Sequence, residues 1–171
     1  MPKQPKRSVL LDTSFLITLF DNSRTNHDNA KKYYMYFIEN KIDMYLSVIA
    51  ISEYSQKDSI EDILNTGNFI SLTMTVPDGI TAGNFAKLLS SSSREAVDSR
   101  MEAKDDIKLL AQCSNNAIDY IATDDSSTLA KYTRRLNENG DLATKVITMN
   151  AYDTSVLNGG QLAIDIDEDS K

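Results

Sequence analysis

The chain has 171 residues, of which 41% are hydrophobic and 25% are charged, a composition typical of a soluble globular protein. No stretch of it approaches the ~20 consecutive apolar residues that a membrane span needs. Its net charge of −7 argues against broad, nonspecific binding to nucleic acid, because phosphate backbones attract basic surfaces. That charge does not exclude a nuclease, since carboxylates that hold a divalent cation bind phosphate through the metal.

The single cysteine, Cys113, excludes an internal disulfide framework and favours a reducing, cytoplasmic location. The basic start of the chain and the apolar run behind it have the outline of a signal peptide. However, Asp12 interrupts that run, and no cleavage site of small residues follows it. We therefore expect a cytoplasmic protein with no membrane segment.

Apolar periodicity and turn residues predict that strands alternate with helices along the chain. The first predicted elements are a strand in SVLLD, a helix in TSFLITLF capped by Thr13, a helix in NHDNAKKYYMYFIEN, and a passage from strand to helix in DMYLSVIAIS near Ser47. The middle of the chain has a predicted strand in FISLTMTV ended by PDG, a helix in ITAGNFAKLL and a loop in SSSSRE. The last predicted elements are a helix in SRMEAKDDIKLLAQCSNN, a strand in DYIAT, a helix in SSTLAKYTRRLNENG closing at Gly140, and a strand in TKVITM.

This alternation implies an α/β fold in which helices cover both faces of a mostly parallel central sheet, that is, a three-layer α/β/α sandwich. No repeat and no long linker divides the chain. We therefore predict a single domain over residues 1–150 and a C-terminal extension over residues 151–171, with an acidic and disordered end.

Carboxylates follow three of the predicted strands, at the edge where parallel α/β sheets bind their ligands. Asp12 ends the first strand, Glu53 lies a turn or two after the second apolar run, and Asp124 and Asp125 follow YIAT directly. Each of them, taken alone, has an ordinary interpretation as a helix cap or a turn residue. Together at one point they would repel each other unless a cation neutralised them.

Helical phase separates two further neighbouring carboxylates, Asp105 and Asp106. Asp106 shares a face with apolar residues such as Leu110, whereas Asp105 shares a more polar face with Lys108 and Gln112. A carboxylate on an apolar stripe has a desolvation cost that needs a compensating partner. Asp106 is therefore the functional candidate of the pair, and Asp105 is predicted to cap or flank.

A set of carboxylate oxygens suits a hard divalent cation, Mg²⁺ or Mn²⁺. One cysteine and one histidine cannot build a zinc site. Bound Mg²⁺ takes phosphate oxygens as further ligands and activates water for attack on a phosphodiester. The carboxylates thus predict metal-dependent phosphodiester hydrolysis.

Four stretches resemble, in the expected order, the motifs of the PIN-domain ribonucleases, a family that includes the VapC-like toxins of bacterial toxin–antitoxin pairs. The stretches are VLLDTSFLI, LSVIAISEY, DDIKLLAQC and YIATDD, and they cover the chain from about Val9 to Met149. The resemblance implies a PIN-like fold and metal-dependent cleavage of RNA that leaves a 5′-phosphate. It also makes an antitoxin protein and a second copy of the chain candidate partners.

The resemblance implies that the catalytic metal ligands are Asp12, Glu53, Asp106 and one of the pair Asp124 and Asp125. A Thr-x-Asp frame puts Thr123 in the threonine place and favours Asp125 as the acid, although a one-residue shift would exchange the two acids. Ser14 matches a small polar position near the metal, where it would orient a water or a phosphate. Ser14, Thr123 and Asp105 are accessory candidates.

The sequence also allows two other interpretations. A phosphatase of the haloacid-dehalogenase type also places an aspartate after its first strand, but it needs a second aspartate two residues later, where this chain has Ser14. A catalytically inactive PIN-like RNA-binding or scaffold protein would typically lack one of the acids, and none is missing here. An inactive RNA-binding or scaffold protein is the alternative function, because an unsuitable arrangement of the acids could abolish activity even though none is missing.

The aromatic stretch KKYYMYF has helical spacing and is predicted to lie in the core or at a dimer or antitoxin interface rather than to stack on bases. The stretch 57–95 is longer than its counterpart in compact toxin-like proteins. No role is predicted for it.

Overall fold

The computed structural model describes residues 7–67, 69–91 and 101–157. In these residues five parallel strands form one sheet in the order β3-β2-β1-β4-β5. The strands are β1 (Ser8–Leu11), β2 (Asp43–Ser47), β3 (Phe69–Leu72), β4 (Tyr120–Thr123) and β5 (Lys145–Thr148). The helices are α1 (Thr13–Phe20), α2 (His27–Glu39), α3 (Val48–Tyr54), α4 (Glu61–Thr66), α5 (Val76–Ser91), α6 (Met101–Asn115) and α7 (Leu129–Glu138).

The sheet separates two apolar cores, which gives the protein three layers. Side chains alternate along β1, so that Val9 and Leu11 join a core with Phe37 of α2, while Leu10 joins the other core with Leu110 of α6. All five of these side chains are fully buried. Burial on both faces explains why this strand reads as a continuous apolar run. The predicted three-layer α/β fold is confirmed.

The first helix begins differently from the prediction. Asp12, rather than Thr13, is its N-cap, with extended backbone angles (φ −78°, ψ 159°) and a side chain that accepts a hydrogen bond from the backbone N–H of Ser14. Thr13 is the first residue of the helix, and its hydroxyl donates instead to Glu53. The cap prediction was therefore wrong by one residue.

The stretch PDG lies in the first turn of α5 and does not end the strand before it. Asp78 of this stretch is buried, and its Oδ2 accepts hydrogen bonds from the backbone N–H and the hydroxyl of Thr75, at 2.8 and 2.7 Å. Its Oδ1 accepts from Asn115 at the end of α6. The first turn of a helix tolerates proline, because its N–H groups have no partners within the helix.

Four further parts of the chain can be compared with the sequence prediction. Helix α4 was not predicted, because Ile63 is the one buried side chain among those of its residues that the structure describes. Of the predicted SSSSRE loop, Ser90 and Ser91 belong to α5, and the remainder lies outside the described residues. The acidic end of the chain also lies outside them. Gly140 follows α7 with φ +78°, the left-handed conformation that ends helices, so the predicted closure is confirmed.

The aromatic stretch on α2 contributes to the core, as predicted. Tyr33 and Phe37 are buried, and the Tyr33 hydroxyl bonds to the backbone of Ala151 and Asp153. Leu157 is fully buried as well. Residues 151–157 therefore pack against the same core as the sheet.

No helix in the described part of the chain is long and apolar enough to span a bilayer.

The packing of α6 can be tested at Cys113. The side chain of this residue is fully buried, and burial raises the pKa of its thiol. We expect the folded protein to react with a disulfide reagent such as dithionitrobenzoate at least about a hundredfold more slowly than the protein in guanidinium chloride. Rapid stoichiometric labelling of the folded protein would contradict the placement of α6.

Candidate active site

The candidate site lies where the strand order reverses. The chain runs from β1 outward through β2 to β3, and then returns to place β4 on the other side of β1. The backbone N–H of Asp12 donates to the carbonyl of Ala122 at 3.0 Å, so the carboxyl ends of β1 and β4 are adjacent. Ligands of open parallel sheets bind at such a switch point.

A cavity of about 320 Å³ opens at this edge of the sheet. Its described lining residues are Asp12, Thr13, Ser14, Ile17, Glu53, Gln56, Lys57, Asp105, Asp106 and Asp125. The cavity thus brings together five of the six predicted carboxylates and leaves out Asp124.

Asp12 is the most deeply buried of these carboxylates, with 5% of its surface exposed. Its Oδ2 accepts hydrogen bonds from the hydroxyls of Ser14 and Thr123, at 2.6 and 2.8 Å. Burial raises the pKa of Asp12 above its ordinary value, and the hydrogen bonds from Ser14, Thr123 and the backbone offset part of that effect. The site therefore holds a carboxylate whose charge the protein alone does not fully compensate.

Ser14 and Thr123 also lock the turn after β4. The Ser14 hydroxyl oxygen accepts from the backbone N–H groups of Asp124 and Asp125, at 2.9 and 3.2 Å. The Thr123 hydroxyl oxygen accepts from the N–H of Asp125 at 2.9 Å. Two of the three predicted accessory residues, Ser14 and Thr123, thus contact Asp12 and fix the turn that carries the last acid.

Glu53 reaches the cavity from α3, and the hydroxyl of Thr13 donates to its Oε2. Thr13 links the start of α1 to the second acid, a role that sequence reasoning missed by treating it as a helix cap. The available signal was its position between Asp12 and Ser14, both already site candidates.

A buried polar bond couples the elements that carry Glu53 and the α6 acids. Ser47, the N-cap of α3, donates to Oε1 of Gln112 at 2.6 Å, and both side chains are fully buried. Gln112 also donates to the carbonyl of Thr73 at 3.2 Å. The predicted polar face of α6 is therefore packed inside the protein at Gln112, where its amide joins α6 to the ends of β2 and β3.

Both α6 acids line the cavity. Asp105 pairs with Lys108 on the same helix, with Nζ and Oδ1 separated by 2.6 Å, and its side chain is 17% exposed. The Oδ2 atom of Asp106 is buried. Both acids are thus partly buried and lie beside the cavity.

The adjacent acids after β4 point to different places. Asp124 accepts from the Thr18 hydroxyl at 2.6 Å and from the Asn26 amide at 2.7 Å, so it ties the strand end to α1 and to the loop before α2. Asp125 lines the cavity, and its Oδ1 accepts from the backbone and hydroxyl of Ser127 at 2.8 and 2.6 Å. Although burial acts in the opposite direction, these bonds hold the pKa of Asp125 below its ordinary value.

Asp124→Asn should therefore destabilise the fold by about 1–2 kcal/mol, because an amide offers one acceptor where two are used. Urea unfolding measures this change. Asp125→Asn is the matched control, since an amide oxygen can still accept from Ser127, and we expect it to unfold close to the wild type. An Asp124→Asn protein as stable as the wild type would show that its two bonds contribute nothing.

The donor set fits a hard divalent cation in its chemistry, since the acids that line the cavity offer only oxygen. Among the described residues, however, no group of three or more Asp, Glu, His or Cys side chains has the arrangement of a metal site. The carboxylates of Glu53 and Asp125 are held by neighbouring hydroxyls, as is Asp12. Binding of an ion would require these side chains to turn toward a common point.

The sequence matches no protein-family model and no curated protein. Among solved structures, the fold is similar to one chain of the VapBC2 complex from Rickettsia felis, determined bound to a DNA fragment from its promoter. The two chains are 10% identical, with a TM-score of 0.55, and the match covers 82% of this chain and 98% of that one. At this identity, the likeness establishes the fold alone.

Proposed function

We propose that this protein is a metal-dependent endoribonuclease that hydrolyses phosphodiester bonds of RNA. The observation that carries the proposal is that five carboxylates line one cavity at the switch point of a parallel sheet, among them the buried Asp12. Burial makes the charge of Asp12 unfavourable, and a cation would compensate it. Asp12, Glu53, Asp106 and Asp125 would hold Mg²⁺ or Mn²⁺.

A bound ion of this kind supplies charge that stabilises a phosphoryl oxygen, and it lowers the pKa of water at the scissile bond. The protein's own part is to position the carboxylates. Ser14 and Thr123 donate to one oxygen of Asp12, and Thr13 donates to one oxygen of Glu53. Because a carboxylate has two oxygens, the second oxygen of each would serve as a ligand after the side chains turn toward a common point.

Asp125 is the better candidate for the fourth ligand. It faces the cavity, while both oxygens of Asp124 accept hydrogen bonds from α1 and the following loop. Moving Asp124 to an ion would break two bonds that link the layers. This assignment agrees with the Thr-x-Asp frame of the sequence.

The sequence motifs support RNA as the substrate, and the motifs and the fold together support a toxin–antitoxin role as the biological setting. The four sequence motifs resemble those of VapC-like toxin ribonucleases, in order and over most of the chain. The fold is similar to that of a chain from a VapBC2 complex. We propose that an antitoxin protein is a partner and that the chain forms homodimers.

The experiment is a cleavage assay on labelled single-stranded RNA, with Mg²⁺, with Mn²⁺, and with EDTA. We expect cleavage with either ion, fragments that carry a 5′-phosphate, and a loss of at least about a hundredfold when EDTA removes the metal. Asp12→Asn protein purified in parallel controls for contaminating ribonuclease. Cleavage that persists in EDTA, or that is equal in the variant, would contradict the proposal.

The second candidate is a PIN-like protein that binds RNA or acts as a scaffold without cutting. It is favoured by one observation, the lack of a ready metal-site arrangement among the described side chains. Such a protein would leave the RNA intact with both ions in the cleavage assay, and it would bind the RNA in a gel-shift experiment. That result would replace the leading proposal with the second.

A further inference from the structure

We propose that a groove beside the carboxylate cavity binds the single-stranded RNA segment that flanks the bond to be cut. In this flanking groove, Lys57 and Arg24 would contact phosphates, and Phe20 would stack on a base. The described lining of the groove carries two cations, Arg24 and Lys57, and two carboxylates, Asp21 and Asp58, and its other residues are Ile17, Phe20, Asn22 and Tyr54. The inference rests on the proposed ribonuclease function and adds the path of the substrate.

The groove and the cavity are continuous. Ile17 and Lys57 line both of them. Helix α1 begins at the cavity, next to Asp12, and ends at the groove with Phe20. Because an eight-residue helix is about 12 Å long, a strand with one phosphate in the cavity places its neighbouring nucleotides along this helix.

The cavity has little positive charge, and the cation that it has, Lys57, also lines the groove. Lys57 is the one cationic residue among the described residues that line the cavity, which otherwise carries five carboxylates. Within the described residues, no carboxylate lies within 4.0 Å of its ammonium group. Its backbone N–H donates to the carbonyl of Tyr54 at 2.8 Å, which fixes the residue just beyond α3.

Arg24 supplies the second cation of the groove. Its Nε lies 3.6 Å from Oδ2 of Asp21, and both side chains are about half exposed. Ion pairs of this exposed kind contribute little to stability, so a phosphate can replace Asp21 as the partner of Arg24. The turn is nevertheless fixed, since the N–H of Arg24 donates to the carbonyl of Asp21 and its own carbonyl accepts from His27, each at 3.1 Å.

Phe20 is 40% exposed although it ends a helix that is otherwise mostly buried. Ile17 and Tyr54, which is 5% exposed, line the same groove. Single-strand binders combine an exposed ring, on which bases stack, with cations that contact phosphates, and the described lining of this groove offers one such ring and two cations beside its two carboxylates. Bases inside a duplex are already paired and stacked, so this groove selects single strands.

The test measures RNA binding by fluorescence anisotropy, with a labelled single-stranded oligonucleotide and Mg²⁺, in an Asp12→Asn background that keeps the RNA intact. Lys57→Ala and Arg24→Ala should each weaken binding by about three- to tenfold and reduce the dependence of log K on log salt by about 0.7. Phe20→Leu should weaken binding by about fivefold or more without changing that slope. Lys87→Ala, an exposed cation on α5, is the matched control and should change neither.

A duplex of the same sequence extends the test, because it should bind more weakly and should be insensitive to Phe20→Leu. Thermal unfolding of each variant verifies that the fold is retained. If the wild type cuts RNA and the three groove variants bind RNA as tightly as Lys87→Ala does, the inference is wrong while the proposed function stands. The groove would then bind another ligand, such as a peptide. If the wild type neither cuts nor binds RNA, the proposed function fails and the inference fails with it.

Discussion

Replacing Asp12 with asparagine should reduce RNA cleavage by a factor on the order of a hundred or more, and it should leave the fold intact. The loss is expected because an amide cannot supply the negative charge that the proposed ion needs. The fold should survive because asparagine is as good an N-cap as aspartate and its oxygen can still accept from Ser14 and Thr123. A variant that cleaves RNA at the wild-type rate would contradict the role assigned to Asp12.

The same substitution should increase stability at neutral pH in the absence of metal. Burial raises the pKa of Asp12 above 3.8, so the folded protein retains this proton at pH values where the unfolded chain has lost it. The contribution of Asp12 to stability is therefore present below pH 3.8 and is lost as the pH rises through the folded pKa. Asparagine removes this loss.

Urea unfolding of the wild type and Asp12→Asn, in EDTA at about pH 4 and pH 8, measures the effect. The stability advantage of the variant should be larger at pH 8 than at pH 4. An advantage that is the same at both pH values would show that its origin is not the ionisation of Asp12.

Asp106→Asn and Asp105→Asn form the second decisive comparison, because the two residues are adjacent on α6 and both line the cavity. Asp106→Asn should reduce cleavage on the order of a hundredfold, as expected for a lost metal ligand. Asp105→Asn should reduce it by less than about tenfold, since the Oδ1 of Asp105 forms an ion pair with Lys108 on its own helix.

Initial cleavage rates with saturating Mn²⁺ measure both effects on one substrate. Thermal unfolding of both variants distinguishes a loss of activity from a loss of structure. The assignment of Asp106 as a ligand depends on a difference between it and the flanking Asp105. If both substitutions reduce the cleavage rate equally and both folds are intact, that assignment is contradicted.

The fold was predictable from sequence where the pattern was long and regular. The apolar run of β1 and the alternating elements after it are sufficient for a parallel sheet, because the helices that connect parallel strands cover both faces of the sheet. The corner at Ser47 was also predictable, since a small polar residue at the end of a strand caps the next helix. Helix α4 was not, because a six-residue element with one buried side chain among those described has no period to detect.

The acids of the candidate site were predictable because strand ends converge at one edge, but their partners were not. The bond from Thr13 to Glu53 spans 40 positions of the sequence, and the bonds to Asp124 span about a hundred. No local pattern specifies such pairs. The burial of Gln112 was missed for the same reason, since its partners Ser47 and Thr73 belong to other elements.

The central claim is that these carboxylates form a divalent-metal site, and calorimetric titration of Mn²⁺ into the wild type and Asp106→Asn tests it most directly. The wild type should bind Mn²⁺, and the variant should bind it at least about tenfold more weakly, because a buried oxygen ligand has been replaced by a neutral amide. Equal affinities in the two proteins, or no binding by the wild type, would contradict the claim.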